Sequence, residues 1–421
     1  MSRAPWRAGP WAVPSFRAVW LSGLVSDSGD WLLFIALPLV VLERSGSAFG
    51  TSIAFLLELV PGALMTPVAS WCAERLAPRR FLAGVAVAQG LALLPLLLVP
   101  SQGDHAALAT VYGVIVVEAA LTAASDPARN AVLPRLVPAD DLVGANALIG
   151  LAQNLARLVG GPLGGVVLAA GGLRVVALCD LASYLVAGVL LTRIDVVSGA
   201  ADARRTGGRA STWSVLRLPP VRRTVAVTFG CQIAQGMFVV LFVLFVVRSL
   251  DGGSADVGLL RGVQAVGAIA GALVLAGLAR RASPSALVAL SSLTFGLLSL
   301  ALWNGPSLTT TLWPYVAGFM LAGAPGVVLG TGLTSGLQTG VDGAAHGRAF
   351  ALGNLASYAG QGVGILAAGL LVGPAGLRPV LDVQGAIYVS VGLLCTLTLR
   401  GAGPGPRARA VPRPARRAAR A

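Results

Sequence analysis

Two carboxylates, Asp27 and Asp30, stand three residues apart in the otherwise apolar stretch SGLVSDSGDWLLFIALP. On a helix, positions i and i+3 share a face. Asp27 follows Phe16 by eleven residues, about 16 Å of helical rise and close to the centre of a bilayer. A carboxylate at that depth costs ~2.5 kcal/mol or more even on the lenient insertion scale, so each one calls for a reason. Taking up and releasing a proton, or touching a substrate, is one reason; the blander one is a carboxylate satisfied by neighbouring backbone or by Ser22, Ser26 and Ser28 at a helix break. Glu118, in VYGVIVVEAALTAA, falls near mid-span, and Glu58, in FLLELVPGAL, nearer the outer end. Both are candidates for the same chemistry, or for buried ion pairs with Arg157 or Arg261. Arg157 stands beside Gln153 and Asn154 in LAQNLARLVGGPLGG, as a cavity charge or as a structural clamp. In the same run Gly160, Gly161, Pro162, Gly164 and Gly165 offer a small-residue surface on which another helix packs closely. Trp31, Phe34, Phe238, Phe242, Trp313, Tyr315 and Phe319 are rings near cavity depth, available to stack an apolar ligand or simply to pack against helices and lipid.

The elements that must hold these residues are dictated by composition. Of 421 residues, 56% are hydrophobic and 11% charged, with a mean hydropathy of +0.80. A soluble domain is about 25% charged, so this chain lacks the polar groups for a water-facing surface. Apolar segments of spanning length fall at 16–43, 49–73, 81–100, 106–128, 141–171 and 174–194, and again at 224–249, 254–280, 283–304, 308–338, 347–373 and 379–399. Runs of this length without alternation exclude barrel strands, leaving an all-α integral membrane bundle of twelve helices. All 31 basic residues are Arg. With the N-terminus cytoplasmic, 25 of them fall in cytoplasmic segments, including Arg129 and Arg135, four outside (Arg44, Arg174, Arg248, Arg378) and two within spans (Arg157, Arg261). That imbalance places both termini in the cytoplasm of a multi-pass plasma or inner membrane protein. The net charge of +14 therefore speaks of orientation in a membrane, and nucleic acid is not an expected partner.

Other function classes find little support. The four cysteines are far apart and form no CxxC pair, so neither a disulfide framework nor a metal site is expected. The N-terminal MSRAPWRAGPWAVPSFR lacks the short apolar run of a cleaved signal. There is no lysine for a Walker loop, and the Gly-rich runs lie inside spans, so no nucleotide cofactor is expected. His105 and His346 stand in no recognisable catalytic spacing with a carboxylate or cysteine, which argues against an enzyme.

The chain repeats itself. TPVASWCAERLAPRRFL, from Thr66, slides onto GALVLAGLARRASPSAL, from Gly271, at an offset of 205, and Gly172-Leu173-Arg174 falls on Gly376-Leu377-Arg378 at 204. Two agreeing offsets indicate parallel repeats. At 205, Asp27 and Asp30 map onto Gln232 and Gln235 in CQIAQGMF, a second polar pair at the same depth. The expected organisation is a short tail at 1–15, a six-helix bundle at 16–194, a polar basic linker at 195–223, a second bundle at 224–400 and a basic, Pro-rich disordered tail at 401–421, which alternatively binds anionic headgroups.

The loop after the second span, Ala73-Glu74-Arg75-Leu76-Ala77-Pro78-Arg79-Arg80, sets an acidic residue before several arginines at a helix end. A network of that kind closes one side of a protein and breaks when that side opens. The loop resembles the Gly-x-x-x-Asp-Arg-x-x-Arg-Arg signature of the major facilitator superfamily, with Ser70 for Gly and Glu74 for Asp. FRAVWLSGLVSDSGDWLLFIALPLVV, DPARNAVLPRLVPADDLVGANAL, ARLVGGPLGG and GRAFALGNLASYAGQGVG are similar to the branch with macrolide-efflux and enterobactin-exporter proteins. What the resemblance implies is two pseudo-symmetric six-helix bundles around a central cavity and proton-coupled efflux of a small amphipathic or apolar compound by a monomer. Uptake by the same fold, or a non-transporting scaffold or sensor, are the alternatives.

Overall fold

Proline in the first turn and glycine just past the last set several helix limits. The computed structural model describes residues 9–75, 77–99, 105–194, 215–278, 283–339, 341 and 345–401. Helix α1 (Pro14–Ser45) starts on its proline and ends at Gly46, whose φ of 60° lets its N–H reach the Leu42 carbonyl at 2.8 Å. It is followed by α2 (Ala48–Arg75), α3 (Pro78–Ala92) and α4 (His105–Leu136). The next helical stretch, Leu142–Leu191, would be about 75 Å long, far beyond a bilayer crossing of ~30 Å. Gly172, at φ 68° and ψ −174°, folds it back into two spans, α5 (142–171) and α6 (173–191). Then come α7 (Pro219–Ser249), α8 (Ser254–Leu278), α9 (Pro284–Asn304), α10 (Leu312–Thr339), α11 (His346–Ala375) and α12 (Leu377–Gly401). Eleven apolar stretches of the described residues are long enough to cross a membrane, and the fold at Gly172 makes them twelve spans.

The repeat is visible in the backbone. Gly376, 204 residues after Gly172, has φ 83° and ψ 165° and makes the same turn between α11 and α12. A Cβ on Gly160 of α5 would strike the Ser28 carbonyl of α1, and one on Gly364 of α11 would strike the Ile233 carbonyl of α7. Those contacts are displaced by 204 and 205 residues, the two offsets read in the sequence. The glycines bring the first and fifth helices of each half into backbone contact, where van der Waals packing replaces the absent hydrophobic drive.

The two bundles meet mainly at the face opposite the chain termini. Gly161 and Gly165 of α5 pack against Gly258 and Ser254 of α8, and Gly369 of α11 against Ser52 of α2. Arg248 of α7 donates to the Gly46 carbonyl at 3.0 Å, and Ser254 to the Gly165 carbonyl at 3.0 Å. Beneath lies the largest apolar core, built on Leu39 and Leu42 of α1, residues 237–246 of α7 and Trp303, Tyr315 and Phe319. Toward the terminal face the bundles part, and the interior is polar.

One expectation is corrected. The spans read from the sequence leave Arg129 in a loop, but α4 continues past residue 128 through Pro134 to Leu136, so Arg129 is an intrahelical side chain turned inward. Helix α1 is also continuous, so Ser22, Ser26 and Ser28 do not mark a break. Ser22 and Ser28 bond back to the Val19 and Leu24 carbonyls, while Ser26 reaches Asp27 Oδ1 at 3.5 Å.

Candidate functional site

Asp30 lies at the midpoint of α1. The Tyr184 hydroxyl of α6 contacts Asp30 Oδ1 at 2.6 Å and Glu118 Oε2 of α4 at 3.1 Å, while Gln89 Nε2 of α3 donates to the same hydroxyl at 3.1 Å. Gln89 is itself within 3.1 Å of Thr122 Oγ1. A phenol carries one proton. The shorter contact takes it to Asp30, so the Glu118 contact becomes a hydrogen bond when Glu118 is protonated and donates to the phenolic oxygen. A third carboxyl, Asp180 of α6, is 0% exposed and accepts from Ser183 at 2.8 Å. Its Oδ2 and Glu118 Oε1 have no partner among the described residues. Gly29 makes this cluster possible, because any side chain there would collide with Asp180 and Ser183.

One helical turn nearer the terminal face, Asp27 forms an ion pair with Arg129 at 2.9 Å, and Arg129 also donates to Ser26 at 3.3 Å. The pair lines a cavity of about 460 Å³ between α1, α4 and α5, with Asp126, Asn130, Gln153 and Arg157. It adjoins a larger cavity of about 1070 Å³ between the bundles; Asp30, Trp31, Thr122, Asp126 and Asn130 line both.

Glu58, Glu118, Gln235 and Arg261 line the larger cavity, together with Phe34 and Phe55. Gln232 is not among its lining residues; it lies beneath Gly360 in the α7–α11 contact. The expected ion pairs of Glu118 or Glu58 with Arg157 or Arg261 do not form: the ion pair shown among the described residues is Asp27–Arg129. Arg261 is 8% exposed and sits 5.9, 5.5, 5.2 and 5.7 Å from the ring centroids of Trp31, Phe34, Phe238 and Phe242, with Arg157 also 5.9 Å from Trp31. Of the seven rings singled out, Trp31 and Phe34 reach the cavity. Phe238, Phe242, Tyr315 and Phe319 belong to the apolar core, and Trp313 is 71% exposed. The side chains of Glu74, Arg75 and Ser70 lie outside the described residues, whereas Arg79 and Arg80 are exposed at the start of α3.

Sequence reasoning passed over Gln89, Asp126, Asp180 and Tyr184, and misplaced Arg129. The repeat offset holds the signal for two of them. Tyr184 plus 204 is Tyr388, whose hydroxyl donates to Gln235 at 3.3 Å, as Tyr184 donates to Asp30. Asp180 plus 204 is Gln384, also 0% exposed, which accepts from Trp303 at 2.8 Å. One half thus carries carboxyls where the other carries amides one methylene longer.

Comparison with known proteins places the architecture. The pattern of the Major Facilitator Superfamily matches residues 19–345. No curated protein resembles the chain closely enough in sequence to count as a relative. Among solved structures, a bacterial homologue of the iron transporter ferroportin in an inward-facing state superposes with a TM-score of 0.72 at 16% identity, covering 92% of this chain and 98% of that one. A bacterial homologue of the human lysosomal transporter Spinster, inward-facing and unoccupied, gives 0.68 at 16% identity, covering 95% and 98%. The nucleoside transporter NupG gives 0.70 at 13% identity, covering 91% and 99%.

Proposed function

Because the chain belongs to the Major Facilitator Superfamily, we propose that it is a proton-coupled secondary transporter that expels a small amphipathic or apolar compound by alternating access. The observation that carries this reading is the single Tyr184 hydroxyl held between Asp30 and Glu118 on the wall of the large cavity. Such an arrangement accommodates one exchangeable proton at the depth where substrate would sit. Amides do not titrate, and amides stand in the second half where Asp30 and Asp180 stand in the first, at Gln235 and Gln384, with Ala322 in the place of Glu118, so proton handling belongs to the first bundle. The Asp27–Arg129 pair stands between that cluster and the terminal face, where it serves as a charge gate. Glu74, Arg75, Arg79 and Arg80 would latch the same face when it closes.

The proposed organisation is two rocking bundles, 16–194 and 224–400, joined by the linker at 195–223 and flanked by tails at 1–15 and 401–421; residues 195–214 and 402–421 lie outside the described ones. The arginine distribution supports a plasma or inner membrane location with both termini cytoplasmic, which makes the cavity-bearing face the cytoplasmic one. The working unit is a monomer. One proton moving inward supplies ~2.3 kcal/mol per 100 mV and about 1.4 kcal/mol per pH unit, enough to hold a substrate gradient of a few hundred fold.

The test is a resistance and accumulation screen in a pump-deleted host, comparing the natural chain with Asp30→Asn. Compounds extruded by the first and retained by the second support the proposal. If no compound is moved, or both proteins move every compound equally, proton coupling through Asp30 fails. In proteoliposomes, substrate added on the cytoplasmic side should drive proton movement in the opposite direction; movement in the same direction would indicate uptake.

A further inference from the structure

Arg261 is a cation with no settled anion. Its guanidinium is buried about a third of the way along α8, and its Nε has no hydrogen-bond partner. Its one side-chain bond, to Gln264 Oε1, is a long 3.4 Å. Among the described residues, no carboxylate oxygen comes within 4.0 Å of it. Four aromatic rings surround it instead. Ring faces attract a cation by roughly 0.5–2 kcal/mol each, which offsets only part of the cost of a buried unpaired charge. Arg157 approaches the same Trp31 ring, so two like charges share one indole.

Both arginines line the adjoining cavities, Arg261 the larger and Arg157 the smaller, with Trp31 on the wall of each. Two guanidiniums flanking Trp31 where the cavities adjoin, one of them with an unpaired Nε–H, suit a planar carboxylate, which accepts two parallel N–H bonds from one guanidinium. Aromatic rings next to the charge suit a flat apolar body. Of the acidic groups, Asp30 and Glu118 share Tyr184, Asp27 pairs with Arg129, and Asp126, on the wall of both cavities, lies in the field of that same arginine. Glu58 shares the cavity and interacts with Arg261 through space without contacting it.

Building on the transport reading above, we infer that Arg261, assisted by Arg157, seats the carboxylate of an amphipathic aromatic anion, which makes this compound class the substrate. The purified full-length protein, in nanodiscs, is titrated with naphthoate, the neutral naphthamide and the cationic naphthylmethylammonium, following Trp fluorescence and calorimetric heat. Naphthoate should bind about tenfold tighter than naphthamide, equivalent to ~1.4 kcal/mol, and the cation weakest. Arg261→Gln should erase that ranking and Arg261→Lys should keep it. Should the Gln variant not yield monodisperse protein, Arg157→Gln should narrow the preference. A ranking led by naphthamide or the cation, the absence of saturable binding by all three, or an unchanged ranking in Arg261→Gln would overturn the assignment. Equilibrium binding requires neither turnover nor a proton gradient. Its failure therefore leaves the coupling proposal standing, and failed proteoliposome transport leaves a measured headgroup preference intact.

Discussion

Tyr184 has one proton to give and two carboxyls to receive it, and that limit makes the acid cluster testable residue by residue. Tyr184→Phe removes the shared hydroxyl while preserving the ring, leaving Asp30 and Glu118 without their common partner. Losing a buried hydrogen-bond partner costs about 1–3 kcal/mol, so the variant should show a lower Tm in detergent and a displaced pH–rate profile for transport. A profile identical to that of the natural protein would show that the hydroxyl takes no part in proton handling. Asp30→Asn should abolish uphill extrusion while leaving substrate counterflow between equal pH compartments, because exchange requires the cavity but no net proton movement. Loss of both would mean Asp30 holds substrate or structure instead. Tyr388→Phe is the internal control: it breaks the matching bond to Gln235, where an amide stands in place of the carboxyl, and should leave the pH profile in place.

At the scale of elements, the polar site depends on how closely α1 can be approached. Gly29 admits Asp180 and Ser183 of α6, and Gly160 and Gly164 let α5 settle on the Ser28 and Leu32 backbone. Overpacking of a filled interface costs typically 1–3 kcal/mol, so Gly29→Ala should lower Tm and also impair pH-dependent transport, since it pushes the Asp180 carboxyl away from its cluster. Gly160→Val should destabilise by a similar amount through α5 alone. A Gly29→Ala protein with natural Tm and pH response would show that α6 has room to spare. The pairing of glycine positions in the two halves explains why so many glycines are retained in helices, where each weakens the helix itself by up to about 1 kcal/mol relative to Ala.

For the whole molecule, closure is asymmetric: the bundles touch through Ser52 and Gly369, and through Arg248 and the Gly46 carbonyl, on the face away from the termini. In a chain whose four natural cysteines are replaced, Ser52→Cys with Gly369→Cys should crosslink on oxidation, halt transport and regain it on reduction, while naphthoate still binds from the terminal side. Crosslinked protein that transports normally would show that this face never opens. Twelve spans and the two-fold repeat were legible in the sequence, because burial in lipid imposes long uninterrupted apolar runs; the arginine distribution supports the proposed sidedness. The positions of Asp27, Asp30 and Glu118 along their helices were legible for the same reason, since position along a helix is simple arithmetic. What each carboxyl faces was decided by tertiary structure alone. Arg129 as the partner of Asp27, Tyr184 between Asp30 and Glu118, and Arg261 among four rings all join different helices, and side-chain direction across a helix interface follows from how the helices rotate and cross. That rotation is set by close glycine contacts acting together, a collective property that no single span encodes.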